Sequence, residues 1–138
     1  MKESIVQKEI LETLYKIPDS KVLRINNTPI FDPKLNRFRK SNNRFQPDGI
    51  SDIFFFYKGQ VFFIEVKTPK EFKYLMRNYD EIKNGNWKLR SGNSTVEKKR
   101  RLQNQIIFID EMTKLGFKGF FTCDSRDTLE KVKGIKNF

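Results

Sequence analysis

The sequence predicts a single α/β domain, and three observations carry that expectation. Residues 50–67 hold two β-rich apolar runs parted only by Lys58-Gly59, the pattern of a central hairpin. Segments with apolar residues at helical spacing lie on both sides of that hairpin. The chain of 138 residues suffices for one core but not two. The expected architecture is a mixed sheet of about four strands flanked by helices, formed by residues 1–138 as one unit.

Taken in order, Val6, Ile10 and Leu14 recur every fourth residue, with Ile5 and Leu11 beside them and Pro18 closing the stretch, so residues 3–16 read as an amphipathic helix. Residues 21–25 alternate and end at Asn26-Asn27, which predicts a short strand. Residues 31–48 carry Pro33, Pro47, several Asn and five cations, Lys34, Arg37, Arg39, Lys40 and Arg44, with no acid among them. This is a long basic loop or a loose hairpin arm. The central hairpin is apolar on both faces and so belongs in the middle of a sheet covered on both sides. Thr68-Pro69 ends its second strand, because proline cannot donate to the ladder.

One helix is expected over residues 71–83 from Phe72, Leu75, Met76, Tyr79 and Ile82, stopped by Asn84-Gly85-Asn86. Residues 87–94 read as loop. A long helix follows over residues 95–115, with Leu102, Ile106, Ile109 and Met112 on its apolar side and Gly116 as its cap. Residues 119–123 form a last strand, and Asp124 or Ser125 caps a closing helix that runs to about residue 132.

Composition narrows the chemistry. Lys and Arg number 28 against 17 Asp and Glu, a formal charge of +11, which favours a polyanionic partner. Fourteen Phe argue for a real core rather than a basic tail. Histidine is absent and cysteine occurs once, at Cys123, which excludes Ser-His-Asp triads, Cys-His dyads and zinc sites built on His or Cys pairs. Without an internal disulfide the chain suits a reducing cytosol. No apolar run nears the roughly 18 residues of a membrane span, and Met1-Lys2-Glu3-Ser4 does not read as a signal peptide. Catalysis here has to rest on carboxylates, Lys, Tyr and hydroxyls, with a bound metal.

Glu65 and Lys67 are two apart on one strand and leave the sheet on the same face. A two-residue turn at Lys58-Gly59 pairs Tyr57 with Gln60 and, carried down the hairpin, sets Asp52 opposite Glu65. Paired Cβ atoms lie about 5 Å apart, so both carboxylates can bind one Mg²⁺ or Mn²⁺ through oxygen. The plainer alternative leaves Asp52 and Lys67 in water at the strand ends, with Glu65 paired to Lys67.

At these residues the chain resembles a known family. Gly49-Ile50-Ser51-Asp52, a hairpin, and then Ile64-Glu65-Val66-Lys67-Thr68-Pro69 resemble the PD-(D/E)XK nuclease superfamily, most closely its VRR-NUC (virus-type replication-repair nuclease) group. Glu3, Gln7, Ile10 and Leu14 in the first helix, Arg24-Ile25-Asn26, and Gln105 followed eleven residues later by Gly116 fit the same pattern. The resemblance covers most of the chain outside residues 31–45 and 71–101. It implies a restriction-endonuclease-like core and metal-dependent hydrolysis of DNA phosphodiesters. In that reading Asp52 and Glu65 hold Mg²⁺ or Mn²⁺ and the Val66 carbonyl completes the coordination. Lys67 positions the attacking water or stabilises the charged phosphorane, Glu3 reaches the site from the first helix, and Gln105 orients Lys67 or the substrate. It further implies a homodimer acting on branched DNA, in the cytoplasm of a host, from a phage or mobile element. Ser51 stands where the family usually has Pro, and the link from Lys67 to Gln105 is long, which leaves Gln103 as an alternative to Gln105.

Other residues keep two readings. Glu3 could serve the helix dipole alone, with Glu9 as a fallback for the site. Lys98, Lys99, Arg100 and Arg101 contact phosphates or form a solvated helix face. Tyr74 and Trp87 stack on bases or pack. Residues 71–94 read as a substrate or dimer element added to a shorter nuclease core. Two rival functions remain: a non-catalytic basic DNA-binding protein retaining the fold, which would leave supercoiled plasmid intact, and a protein whose basic surface binds an acidic partner, which nucleic acid would not displace.

Overall fold

The computed structural model describes residues 2–25, 30–34, 36–39, 45, 48–85, 87 and 94–138, with the backbone alone for residues 30–32, 37–39, 94 and 95. The elements run α1 (Glu3–Tyr15), β1 (Ser20–Arg24), β2 (Ile30–Asp32), β3 (Arg37–Arg39), β4 (Ile53–Tyr57), β5 (Gln60–Val66), α2 (Pro69–Arg77), α3 (Tyr79–Asn84), α4 (Ser94–Lys114), β6 (Lys118–Thr122) and α5 (Ser125–Val132). Four strands form one mixed sheet in the order β1-β4-β5-β6, and β2 pairs with β3 in a separate antiparallel ribbon.

The hairpin register is the one a two-residue turn dictates. Tyr57 pairs with Gln60 and Ile53 with Ile64. Lys58 and Gly59 both take positive φ, 51° and 72°, the backbone that a tight hairpin turn requires and that glycine adopts without strain. β5 and β6 are parallel neighbours, Glu65 beside Phe121 and Val66 beside Thr122, so the chain needs a long crossover between them. α2, α3 and α4 are that crossover.

Each sheet face has its own apolar cluster. On one side Val6, Ile10 and Leu14 of α1 pack with Ile53, Phe55, Phe62, Ile64, Phe120 and Val132. On the other, Leu75, Ile82, Leu102, Ile106 and Phe121 join α2, α3 and α4 to the sheet. The stripe expected over residues 71–83 therefore finds its partner surface within the chain. Fully burying side chains of this size stabilises by about 1.5–3 kcal/mol each.

Two of the differences from expectation exceed a single residue. The helix expected over residues 71–83 is two helices broken at Asn78, whose φ and ψ are −112° and 17°. Its amide Nδ2 donates to the Tyr74 carbonyl at 2.9 Å, and its own N–H donates to the same oxygen at 3.1 Å. An asparagine side chain that competes for the helix's carbonyls favours such an end. α2 also begins earlier than expected, at Pro69. Thr68 caps it, Oγ1 accepting the Glu71 N–H at 3.2 Å, and proline suits the first helical position, where no N–H is needed.

The ends of α4 and α5 follow the sequence. The Gly116 N–H reaches the Thr113 carbonyl and the Phe117 N–H the Met112 carbonyl, both at 3.0 Å, which closes α4. Asp124 caps α5 by accepting the Asp127 N–H at 2.6 Å. Cys123 lies one residue past β6 and is partly exposed rather than a buried strand residue. No helix among the described residues is long and apolar enough to cross a membrane.

Candidate metal centre

The site forms where the central strands end. Asp52 directly precedes β4, and its Oδ2 accepts the Val66 N–H at 3.0 Å, a bond that pins its carboxylate to the end of β5. Glu65 projects from β5 toward the α4 side, as alternation from Phe63 requires, and is only 2% exposed. Lys67 follows on the same face, its N–H continuing the ladder to the Thr122 carbonyl at 2.8 Å. It is 3% exposed, with its ammonium 3.8 Å from Glu65 Oε1.

Two helices complete the group. Glu3 opens α1, and one carboxylate oxygen from each of Glu3, Asp52 and Glu65 lies within 4.8 Å of the others. Gln105 reaches down from α4, and its Nε2 donates to Glu65 Oε1 at 2.8 Å. The helix alternatives resolve here. Gln103 donates instead to the Lys83 carbonyl at 3.3 Å, Glu9 is exposed on α1, and Gln7 accepts from Arg24 Nε at 3.1 Å.

The electrostatics are those of crowded acids. Burial, then the Asp52 charge, hold the Glu65 carboxyl well above the ordinary carboxylate range, against the pull of Lys67. Burial also raises Asp52, opposed by the Val66 N–H, and raises Glu3. Each shift records an anionic form short of compensating charge. Glu65 Oε2, Gln105 Oε1 and Ser51 Oγ are buried with no hydrogen-bond partner among the described residues. Gln105 and Lys67 both attend Oε1, and neither attends Oε2. Lys67 is the one ammonium buried beside the three converging carboxylates, and the exposed Arg24 and Arg101 act on Asp52 and Glu3 from outside. A hard divalent cation with oxygen ligands matches such a donor set.

Gly49 is a positioning residue to which the sequence alone assigns no task. Its φ is +82°, and a Cβ built on it would lie 2.7 Å from the Gln105 nitrogen and closer still to the Asn104 carbonyl. The segment leading into Asp52 therefore lies directly on the α4 backbone that carries Gln105, an approach only glycine permits. Gly49-Ile50-Ser51-Asp52 could have signalled it.

The expected basic surface divides. Lys99 is corrected: it is buried, with its ammonium 3.1 Å from Glu81 on α3, and is turned away from solvent. Arg100 pairs with Glu97 at 2.6 Å, and Lys98 sits 4.1 Å from the centre of the Tyr74 ring. Arg101 is exposed and within electrostatic reach of Glu3. Trp87 is 1% exposed, with its Nε1 donating to the Ile82 carbonyl at 3.1 Å, so it packs and does not stack on bases. Lys34 is exposed, Arg37 and Arg39 lie on β3, and Lys40 and Arg44 fall outside the described residues.

Comparison with family models, with curated proteins and with solved structures returns no match to this chain.

Proposed function

We propose that the protein is a metal-dependent nuclease that hydrolyses DNA phosphodiesters. The observation that carries this reading is the convergence of Glu3, Asp52 and Glu65 within 4.8 Å, with a buried, unpartnered Glu65 oxygen among them and the Lys67 ammonium alongside. Three converging carboxylates, of which Glu65 is fully buried, are hard to explain as a stability device, and they fit a cation site. The order Asp52, hairpin, Glu65-Val66-Lys67 also matches the resemblance to the VRR-NUC nucleases, from which branched or structured DNA as substrate and a homodimer as working form are taken.

Asp52 and Glu65 would hold the Mg²⁺ or Mn²⁺, with Glu3 and the Val66 carbonyl as further ligands. When bound, such an ion lowers the pKa of water and neutralises phosphoryl charge. The chain's own groups do the rest. Gln105 fixes Glu65 through Oε1, which leaves Oε2 free to ligate. The Val66 N–H fixes Asp52. Lys67 adds positive charge where the attacked phosphoryl group becomes most negative, and its burial strengthens that charge.

The test is cleavage of supercoiled plasmid and of a panel of branched, flapped, single-stranded and duplex DNAs with Mg²⁺, with Mn²⁺ and with EDTA. Cleavage that EDTA abolishes, and that falls by about a hundredfold or more in Asp52→Asn and Glu65→Gln, is expected. Wild-type rates in either variant, or no cleavage under any condition, would overturn the reading.

A further inference from the structure

We infer that the outward face of α2 is a track for a DNA backbone, which leads one strand to the carboxylate site. The inference rests on the nuclease reading and adds a substrate surface that the basic clusters at 34–44 and 98–101 do not include. Lys70, Lys73 and Arg77 are exposed and form no ion pair among the described residues. At about 100° per residue, positions 70, 73 and 77 fall within an arc of about 60°. Glu71, the helix's one acid, lies about 100° or more around the axis and within electrostatic reach of Glu3. The helix thus separates its charges: the acid faces the site and the cations face solvent.

The stripe does not end at α2. Tyr74 lies one turn from Lys70 and beside Lys73 and Arg77, and Lys98 of α4 rests over its ring. One turn further along α4 is Arg101, exposed and close enough to act on Glu3. Five cations therefore connect the outer face of α2 to the edge of the carboxylate cluster. From Lys70 to Arg77 the helix rises about 10 Å, at about 1.5 Å per residue. That length matches about three phosphates of one duplex strand, at about 3.4 Å of axis each. The chemistry favours phosphate over an acidic protein. Protein interfaces are depleted in Lys and built around aromatic anchors, and the one aromatic beside this stripe among the described residues, Tyr74, is covered by Lys98.

The experiment measures binding of a fluorescent duplex by anisotropy across a salt series, in EDTA so that no cleavage intervenes. Wild type is compared with the triple variant Lys70→Gln, Lys73→Gln, Arg77→Gln and with a control, Lys8→Gln, Lys16→Gln, Lys133→Gln. The control removes three exposed cations, Lys8 on α1 and Lys16 and Lys133 at the C-terminal ends of α1 and α5, across the sheet. Near-native melting temperatures, expected for exposed sites, establish that both variants fold, and the α2 charge reversal Lys73→Glu supplies a second, single-site measurement. The α2 variant should flatten the log–log salt slope by up to about 2.7, three contacts at about 0.9 each, and weaken binding by on the order of 10- to 100-fold near 0.1 M salt. Lys73→Glu should weaken binding in the same direction, and the control should change the slope by less than half as much. An unchanged slope in the α2 variant, or an equal change in the control, overturns the track while the nuclease reading stands. A wild-type protein that cleaves no DNA removes the reading on which the track depends.

Discussion

Glu65 sits where its charge conflicts with stability. Its carboxyl is nearly inaccessible, its Oε2 has no hydrogen-bond partner, and Asp52 and Glu3 crowd it. Its folded-state pKa lies above the ordinary 4.5, so the folded chain holds that proton more tightly than the unfolded chain. Its contribution to stability is therefore fully present below pH 4.5 and is lost as pH rises through the folded value. Glu65→Gln keeps the shape and removes the charge. In EDTA at neutral pH it is expected to stabilise the protein by about 1–3 kcal/mol, an advantage that shrinks as pH falls through the raised folded value and is gone by pH 4.5. Denaturant melts of both proteins at pH 4 and pH 7.5 check this; a variant less stable than wild type at pH 7.5 would contradict it. Gly49 acts at one remove. Gly49→Ala must displace the backbone at Asn104 and Gln105, so the Gln105 hydrogen bond to Glu65 shifts. Partners that orient metal ligands are worth about 10–100-fold, and a loss of that size in metal affinity or cleavage rate is expected while the variant remains folded at assay temperature. Calorimetric metal affinity and cleavage rates both equal to wild type would show that the α4 backbone accommodates the methyl group.

Among the elements, α2 is anchored through a single buried side chain. It has nine residues, too few for a stable isolated helix, and Leu75 is its one fully buried residue, packed with Ile82, Leu102, Ile106 and Phe121. Leu75→Ala should cost about 2–5 kcal/mol, whereas Met76→Ala, at a side chain 45% exposed, should cost under about 1 kcal/mol. Urea melts of the two variants check the contrast, and equal small losses would mean that α2 is not anchored through the core. This also bears on what the sequence made legible. The hairpin, α1, α4 and α5 could be read because period, turn and cap agree, and the Lys58-Gly59 turn predicts the observed register as far as Ile53 with Ile64, one step short of Asp52 and Glu65. The break at Asn78 was hidden because the apolar spacing runs unbroken from Phe72 to Ile82. The true start of α2 was written in Thr68-Pro69-Lys70-Glu71, a capping sequence easily taken only as a strand end. The approach of Glu3 and Gln105 to the strands was legible only through the family pattern, because the packing of helices on a sheet leaves no local signal. The same applies to Gly49, whose need to be glycine arises from a helix 55 residues later.

At the scale of the whole molecule, the candidate site joins layers that otherwise meet only through the sheet. Glu3 comes from the helix layer on one face, Asp52 and Glu65 from the central strands, and Gln105 from the layer on the other face. A cation held by the three carboxylates binds only when these elements are assembled, so its binding free energy becomes folding free energy. At a hundredfold excess over Kd, that adds about 2.7 kcal/mol. For a domain of this size the expected rise in melting temperature is about 10 °C. The comparison has to be made at constant ionic strength, because a chain of net charge +11 also responds to screening. Glu65→Gln and Asp52→Asn separate the two effects. Each starts at or above the wild-type melting temperature in EDTA and should gain less than a third of the wild-type increment when Mg²⁺ or Mn²⁺ is added. If both variants gain as much as wild type, the ions bind elsewhere on the surface and the three carboxylates are not their site. If wild type gains nothing up to about 10 mM metal while still cleaving DNA, the substrate itself must bring the cation, and the stabilisation should then appear only with metal and DNA together.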